Sequence, residues 1–358
     1  MTMELIVRKT GMLTSVQDLG RWGYQSSGVP VAGAMDLPAL RLGNTMLGNP
    51  ENAAALEVTL LGPEIEVRGD GAAVFAGADL GFSVNGKAEG SWNVVLLKDG
   101  DVITFKGLRG KGCRGNLCFA GGIDVIPVMG SRSTYMRAKI GGVEGRALKN
   151  GDVIKVGEPS PLWKRMGGFH IPEELHLTQD PEAPLALITG LQEDAFTEEG
   201  KKLLFESEYT ITAESDRMGC RLEGPKIGHT EKGADIVSDA IPLGAVQIPG
   251  HGMPIIMLAD RQTTGGYTKI GVLSPLSIEA LVQKMPGNRV RFRKAEVCEG
   301  ADEQKRISDA VRKVKELRAS HVSRSGIKSP VPASPPLSTS FKLTIDGKSY
   351  DITCEEIS

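Results

Sequence analysis

Asp260-Arg261-Gln262-Thr263-Thr264-Gly265-Gly266-Tyr267 places a carboxylate, a guanidinium, a carboxamide and two hydroxyls on one short stretch. The stretch follows the apolar residues 254–259, which read as a buried strand. Polar groups of these types at a strand end can hold a planar amide, a ureido group or a carboxylate from several directions. The two glycines free the backbone beside them. The same residues also suit a polar strand end followed by an ordinary Gly-Gly turn.

Three further clusters carry similar chemistry. Gln17, Asp18 and Arg21 lie near the N-terminus, Arg132, Ser133 and Thr134 follow the apolar and glycine-rich residues 117–122, and Asp216 and Arg217 open the segment 215–222. Gln247, on a predicted strand at 245–248, is a candidate neighbour of the Asp260 cluster. Asp18 with Arg21, and Asp216 with Arg217, also fit structural ion pairs, which contribute little when exposed. Arg132 between two serines suits bidentate capture of a carboxylate or phosphate, and equally a solvated loop arginine. The basic, glycine-rich residues 107–115 lack the Gly-Lys-Ser/Thr ending of a phosphate-binding loop and read as a mobile loop.

The elements that must position these residues are mostly strands. The chain has 45 glycines among 358 residues, and they separate short alternating or apolar runs at 64–68, 73–76, 94–97, 101–105 and 152–156. Asn85-Gly86, Asp99-Gly100 and Asn150-Gly151 are predicted hairpin turns, and the pattern as a whole suggests barrels or sandwiches. Helices are expected at 38–47, 196–204 (starting near Asp194) and 278–284. A charged amphipathic helix is expected over 302–321, with Ile307, Val311, Val314 and Leu317 on one face. Gln17-Asp18-Leu19-Gly20-Arg21 echoes Ser215-Asp216-Arg217-Met218-Gly219, which suggests a duplication.

Composition excludes several classes. The net charge of −2 gives no basic excess for nucleic acid, and no apolar stretch approaches the ~20 residues of a membrane span. The N-terminus lacks a signal-peptide core, so a cytoplasmic location is expected. The five cysteines and five histidines are dispersed without metal-ligand spacing, so neither a metal site nor a disulfide framework is expected.

The clusters, taken in order, resemble the allophanate hydrolase subunit 2 family, also called the biotin-dependent carboxyltransferase-like family. The resemblance runs from about Val7 to about Phe292. It includes residues 14–23, Gly33-Ala34-Met35-Asp36, Leu47-Gly48-Asn49, Leu56-Glu57, 130–134, Gly141-Gly142, Gly145-Arg146, 215–222 and 260–267. The resemblance implies a mainly β fold of two cyclophilin-like β-barrel domains with a few short helices. The domains are expected at 1–165 and 166–298, followed by an amphipathic helix at 299–322, a Pro/Ser-rich linker at 323–340 and a carrier-like hairpin at 341–358.

Members of the family include a component of bacterial ATP-dependent 5-oxoprolinase, the antagonist of a sporulation-kinase inhibitor, and part of urea carboxylase. Three activities are therefore implied: the C-type component of a cytoplasmic 5-oxoprolinase opening a lactam to glutamate, a carboxyltransferase component acting on urea or a related amide, and a regulatory binding protein antagonising a kinase inhibitor. The first implies ATP used by the complex, with no nucleotide site located in this chain. It also implies three partners: the homologous first component of the family (B-type, like the kinase inhibitor), a lactam-opening component and a small amide substrate. Asp216, Arg217, Asp260, Arg261 and Gln262 are the implied catalytic residues. Gln17, Asp18, Arg21, Arg132, Ser133, Thr134, Gln247, Thr263 and Thr264 are the implied substrate-binding residues. The tail from Phe341 resembles the first hairpin of a biotin-carrier domain but has no Ala-Met-Lys-Met-type turn, so covalent biotin is not expected on this chain.

Overall fold

Alternation fixes the strands of the first half. In Glu64–Arg68 the apolar Ile65 and Val67 are buried between more exposed charged residues. The computed structural model describes residues 3–177, 180, 182–190, 192–325, 338–345 and 348–355. One six-stranded sheet has the order Val153–Lys155, Glu4–Lys9, Glu64–Arg68, Val102–Phe105, Phe82–Val84, Lys87–Ala88. A five-stranded sheet has the order Leu13–Gln17, Ala55–Thr59, Arg114–Phe119, Gly71–Gly77, Val95–Leu97. Leu5, Val16, Leu56, Ile65, Phe75, Phe82 and Leu117 from both sheets share one core.

The other face of the five-stranded sheet is covered by helix α1 (Leu37–Met46), whose Leu40, Leu42 and Met46 pack with Val74, Ala76 and Cys118. The Asp36 side chain caps this helix by accepting from the Ala39 N–H at 2.9 Å, and Pro38 sits in the first turn, where no N–H is needed. Burial on both faces explains why Glu57, within Ala55–Thr59, is enclosed rather than solvated.

The second half is a closed barrel of seven strands, in the order Leu185–Thr189, Lys269–Leu273, Ala245–Gln247, Ile255–Met257, Gly219–Glu223, Glu208–Ile211, Arg289–Ala295. The parallel pairing of Leu185–Thr189 with Arg289–Ala295 closes it. Helices α2 (Glu198–Glu206) and α3 (Pro275–Val282) pack against it. A separate two-stranded ribbon joins Asp235–Ala240 to Thr264–Tyr267.

Helix α4 (Val297–Arg324) begins with a Glu296/Glu299 capping box beside the barrel and then returns to the first half. Its Ala310, Val311 and Val314 join the α1 core, and Lys315 pairs with Glu51 at 3.0 Å. At its start, Glu303 accepts from the Leu276 N–H at 2.8 Å, so one helix fastens both halves.

The mainly β expectation holds, and each predicted helix is present with adjusted ends. Helix α2 is capped by the Thr197 hydroxyl rather than starting near Asp194. Asn85-Gly86 joins the paired strands Phe82–Val84 and Lys87–Ala88 as a hairpin. Asp99-Gly100 instead links strands of different sheets, and Asn150-Gly151 precedes Val153–Lys155 without joining a strand pair. Both are turns whose flanking chain changes layer. The echoed segments occupy different places: Gln17 ends its strand, whereas Gly219 opens one. The tail strands Ser338–Ile345 and Lys348–Glu355 pair antiparallel, while most of the 323–340 linker and the Asp346-Gly347 turn lie outside the described residues.

Candidate functional site

The two halves meet through a buried charge group. Arg217, just before strand Gly219–Glu223, donates from Nε and Nη2 to the two oxygens of Asp260, each at 3.1 Å. Its Nη1 pairs with Glu57 from the first half, and Nη2 also reaches the Gly33 carbonyl. The second Glu57 oxygen accepts from the Met35 N–H at 2.6 Å. Asp260 is positioned at the end of strand Ile255–Met257, its own N–H donating to the Arg217 carbonyl at 2.9 Å.

Two carboxylates thus surround one guanidinium away from water. Burial opposes the Arg217 charge, but Glu57 and Asp260 more than offset it, and the pKa rises. Burial pushes the Asp260 carboxyl above its usual range, against the pull of Arg217 and with a further push from Glu57. Asp260 is therefore a buried carboxyl held in one orientation, with burial raising its pKa against the pull of Arg217.

Arg261 is arranged differently. Its Nε donates to the Ile241 carbonyl at 2.9 Å and Nη1 to the Leu258 carbonyl at 3.2 Å, and among the described residues it has no carboxylate partner. Burial lowers its pKa to about 10, which leaves it charged at neutral pH. Among the described residues, the Gln247 Nε2 and the Gln262 Oε1 are buried without hydrogen-bond partners. A Cβ on Gly265 would lie 2.7 Å from Ile241, 3.1 Å from the Gln247 amide nitrogen and 3.4 Å from that of Gln262. Glycine here leaves both carboxamides room. A free carboxamide donor, a free carboxamide acceptor and an uncompensated guanidinium are the complement of a planar amide carrying negative charge.

The N-terminal cluster is woven into itself. Asp18 accepts from Gly20 N at 2.8 Å, Arg132 N at 2.6 Å, Ser131 Oγ at 2.7 Å and the Ser133 hydroxyl. Thr134 Oγ1 donates to the Val16 carbonyl at 2.9 Å. Gln17 donates to Ser15 Oγ at 3.0 Å and the Thr134 carbonyl at 3.2 Å, while its Oε1 has no partner. The fully buried Arg21 donates to the Val128 and Ser133 carbonyls at 2.9 Å, and its Nη1 is unpartnered. Burial lowers the Arg21 pKa, and Asp18 and Asp260 both pull it back.

The structure brings Arg217 and Asp260 together and sets Gln247 and Gln262 beside Gly265, while Arg261 is bonded to the Ile241 and Leu258 carbonyls. Thr263 uses its carbonyl to accept from Ile241 N at 3.0 Å, and Thr264 is exposed on the ribbon. Arg132 and Asp216 also lie outside the buried group. Arg132 is turned to Asp124 at 3.3 Å and the Val125 carbonyl at 2.9 Å. Asp216 is exposed, accepts from Met218 and Gly219 N–H groups, and stands 4.0 Å from Arg137. Sequence reasoning gave Glu57 no role, although it completes the charge group. It also passed over Tyr135, whose pKa is raised by burial and then by Asp260 across the junction. A charged residue inside the otherwise apolar segment Ala54-Ala55-Leu56-Glu57-Val58 was the available signal.

Two backbone N–H groups of the glycine-rich loop are held by Gln283. Gln283 Oε1 accepts from its Cys113 N–H at 3.0 Å and its Arg114 N–H at 3.1 Å, using donors a phosphate would need. Among the described residues no group of three or more His, Cys, Asp or Glu is placed to hold a metal, and no helix is long and apolar enough to cross a membrane.

The carboxyltransferase domain, subdomains A and B, matches residues 27–294, three quarters of the chain. The chain belongs to this carboxyltransferase-domain family. Among relatives, the C-type component of the Escherichia coli 5-oxoprolinase is 34% identical over 288 residues, 80% of this chain and 90% of that protein. Among solved structures, TTHA0988 superposes with a TM-score of 0.73 at 31% identity, over 82% of this chain. The present chain spans only 56% of that longer polypeptide. The K. lactis urea amidolyase superposes with a TM-score of 0.80 at 26% identity over 99% of this chain and 22% of its own. The carboxyltransferase-domain match covers every charged residue of the buried group, from Glu57 to Asp260.

Proposed function

We propose that this chain is the C-type component of a 5-oxoprolinase, working in the cytoplasm with a homologous B-type component and a lactam-opening component to convert 5-oxoproline to glutamate. The 34% identity to the Escherichia coli protein, over 90% of that protein's length, carries the reading. In it, Gln247 and Gln262 hold the lactam amide, and Arg261 holds carboxylate or developing negative charge. Asp260, oriented by Arg217, exchanges the proton. Arg21 and Gln17 complete the first-half wall, with Asp18, Ser133 and Thr134 fixing its loops. ATP is consumed by the assembled complex, and no nucleotide chemistry is assigned to residues of this chain.

The test is reconstitution with the partner proteins and measurement of ATP-dependent glutamate release from 5-oxoproline. Asp260→Asn should lower turnover by about a hundredfold or more, the range of a lost general acid–base group. Undiminished turnover in that variant, or in a complex lacking this chain, would reject the assignment.

A second reading, carboxyl transfer to urea or a related amide with a separate biotin carrier, is favoured by one observation. The likeness to the K. lactis urea amidolyase extends over 99% of the chain, beyond the family match. Urea-dependent consumption of carboxybiotin without glutamate formation would support it.

A further inference from the structure

The segment Ser131-Arg132-Ser133-Thr134-Tyr135 carries four hydroxyls. Three of them are used inside the first half. Ser131 and Ser133 donate to Asp18, and Thr134 donates to the Val16 carbonyl at 2.9 Å. The fourth belongs to half-buried Tyr135 and has no hydrogen-bond partner among the described residues.

The backbone fixes where this phenol sits. The Tyr135 N–H donates to the Ile140 carbonyl at 2.8 Å, and the Ile140 N–H returns to the Tyr135 carbonyl at 3.1 Å. The turn so closed contains the short 3₁₀ segment Met136–Ala138. On either side, the Thr134 N–H is tied to the Val16 carbonyl at 2.9 Å and the Gly142 N–H to the Arg132 carbonyl at 3.0 Å. Gly142 permits this closure, since its φ is 55° and a Cβ there would overlap the Thr134 hydroxyl.

The turn faces the second half of the molecule. Arg137, two residues beyond Tyr135, stands 4.0 Å from Asp216. Asp216 directly precedes Arg217, whose guanidinium holds both oxygens of Asp260. The exposed Asp216 thereby gains a place beside the site, as a contact that steadies the Tyr135 turn. Among charged groups, Asp260 acts most strongly on the phenol, ahead of Arg137, and together with burial it raises the Tyr135 pKa. The phenol therefore keeps its proton at neutral pH and is available as a donor.

We propose that the Tyr135 hydroxyl is the first-half donor of the amide site, holding the carbonyl oxygen of the bound amide while Asp260 exchanges the proton. This rests on the reading of the Asp260 site as an amide site, whether the amide is a lactam or urea. Tyr135 transfers no atom. Its O–H bond stays intact, and the hydrogen bond strengthens as the carbonyl oxygen gains negative charge.

Tyr135→Phe removes the hydroxyl and keeps the ring. In the reconstituted complex it should lower kcat by about a hundredfold, as loss of one such donor does. KM should change by less than about threefold, because the bond is used mainly in the transition state. A ring with only a packing role would leave kcat intact. A second measurement needs no turnover: in the full chain, isotope-labelled at the tyrosine Cζ, NMR follows the alkaline titration of Tyr135. It should lie above the ordinary phenol value and move back towards it in Asp260→Asn. Unchanged kcat in Tyr135→Phe, or a Tyr135 titration that Asp260→Asn does not move, would each overturn the proposal. A wild-type complex inactive towards both 5-oxoproline and urea would instead reject the amide reading itself, and the proposal with it.

Discussion

Arg217 and Asp260 face each other as a two-pronged ion pair, Nε and Nη2 each 3.1 Å from a separate carboxylate oxygen. The pair is closed off from water, and the third member, Glu57, comes from the opposite half of the molecule. Removing one partner of such a group leaves a charge without compensation in a site water does not reach. Glu57→Ala is expected to lower the unfolding free energy by about 3–5 kcal/mol, measured by urea denaturation. A loss below about 1 kcal/mol, the range of an exposed pair, would show that the triad does not hold the halves together.

Arg261 has its guanidinium anchored to two carbonyls and, among the described residues, forms no salt bridge with a carboxylate. Arg261→Lys keeps the charge and loses the planar fork. In the reconstituted complex, kcat/KM should fall by about tenfold or more while the melting temperature changes little. Equal activity of the two proteins would remove this residue from substrate binding.

Gly265 gives a purely steric test. A methyl group there would sit 2.7 Å from Ile241 and 3.1 Å from the Gln247 amide. Gly265→Ala should raise KM more than it lowers kcat, because it fills the space between the two carboxamides without touching Asp260. A change confined to kcat would contradict that placement.

The Glu279 carboxyl binds its proton more tightly in the folded protein than in the unfolded chain. Its contribution to stability is complete below the unfolded value of about 4.3 and is lost as pH rises through the folded value. Glu279→Gln has no such proton to lose. Melting curves from acid to alkaline pH should therefore show the variant gaining on the wild type as pH increases. A constant difference across the series would mean that Glu279 titrates normally.

Much of this arrangement was legible in the residues, and the limits have physical causes. Strands such as Glu64–Arg68 declare themselves because one face is buried and the other wet. Glu57 does not, because its sheet is covered on both faces and alternation carries no information there. Asp260 and Arg217 were recognisable as candidates, but which charges they meet depends on contacts across more than forty residues and on a partner in the other half. Glu279 lies in a short helix whose neighbours are apolar, so nothing local marks it as ionisable chemistry. The turn Asp99-Gly100 misled for a related reason. Local turn chemistry fixes a reversal of direction, not whether the next strand joins the same sheet.

Helix α4 is the last part of the 3–325 body to be made, yet it covers α1, which lies near the beginning of the chain. During synthesis the surface formed by Leu40, Leu47 and Met166 must wait, uncovered, until the ribosome has released residues 310–314. The first half therefore cannot reach its final packing as an early, self-sufficient intermediate, although nascent chains commonly fold from the N-terminus onward. Completion of the first-half core therefore waits until α4, which follows the whole of the second half, has been made.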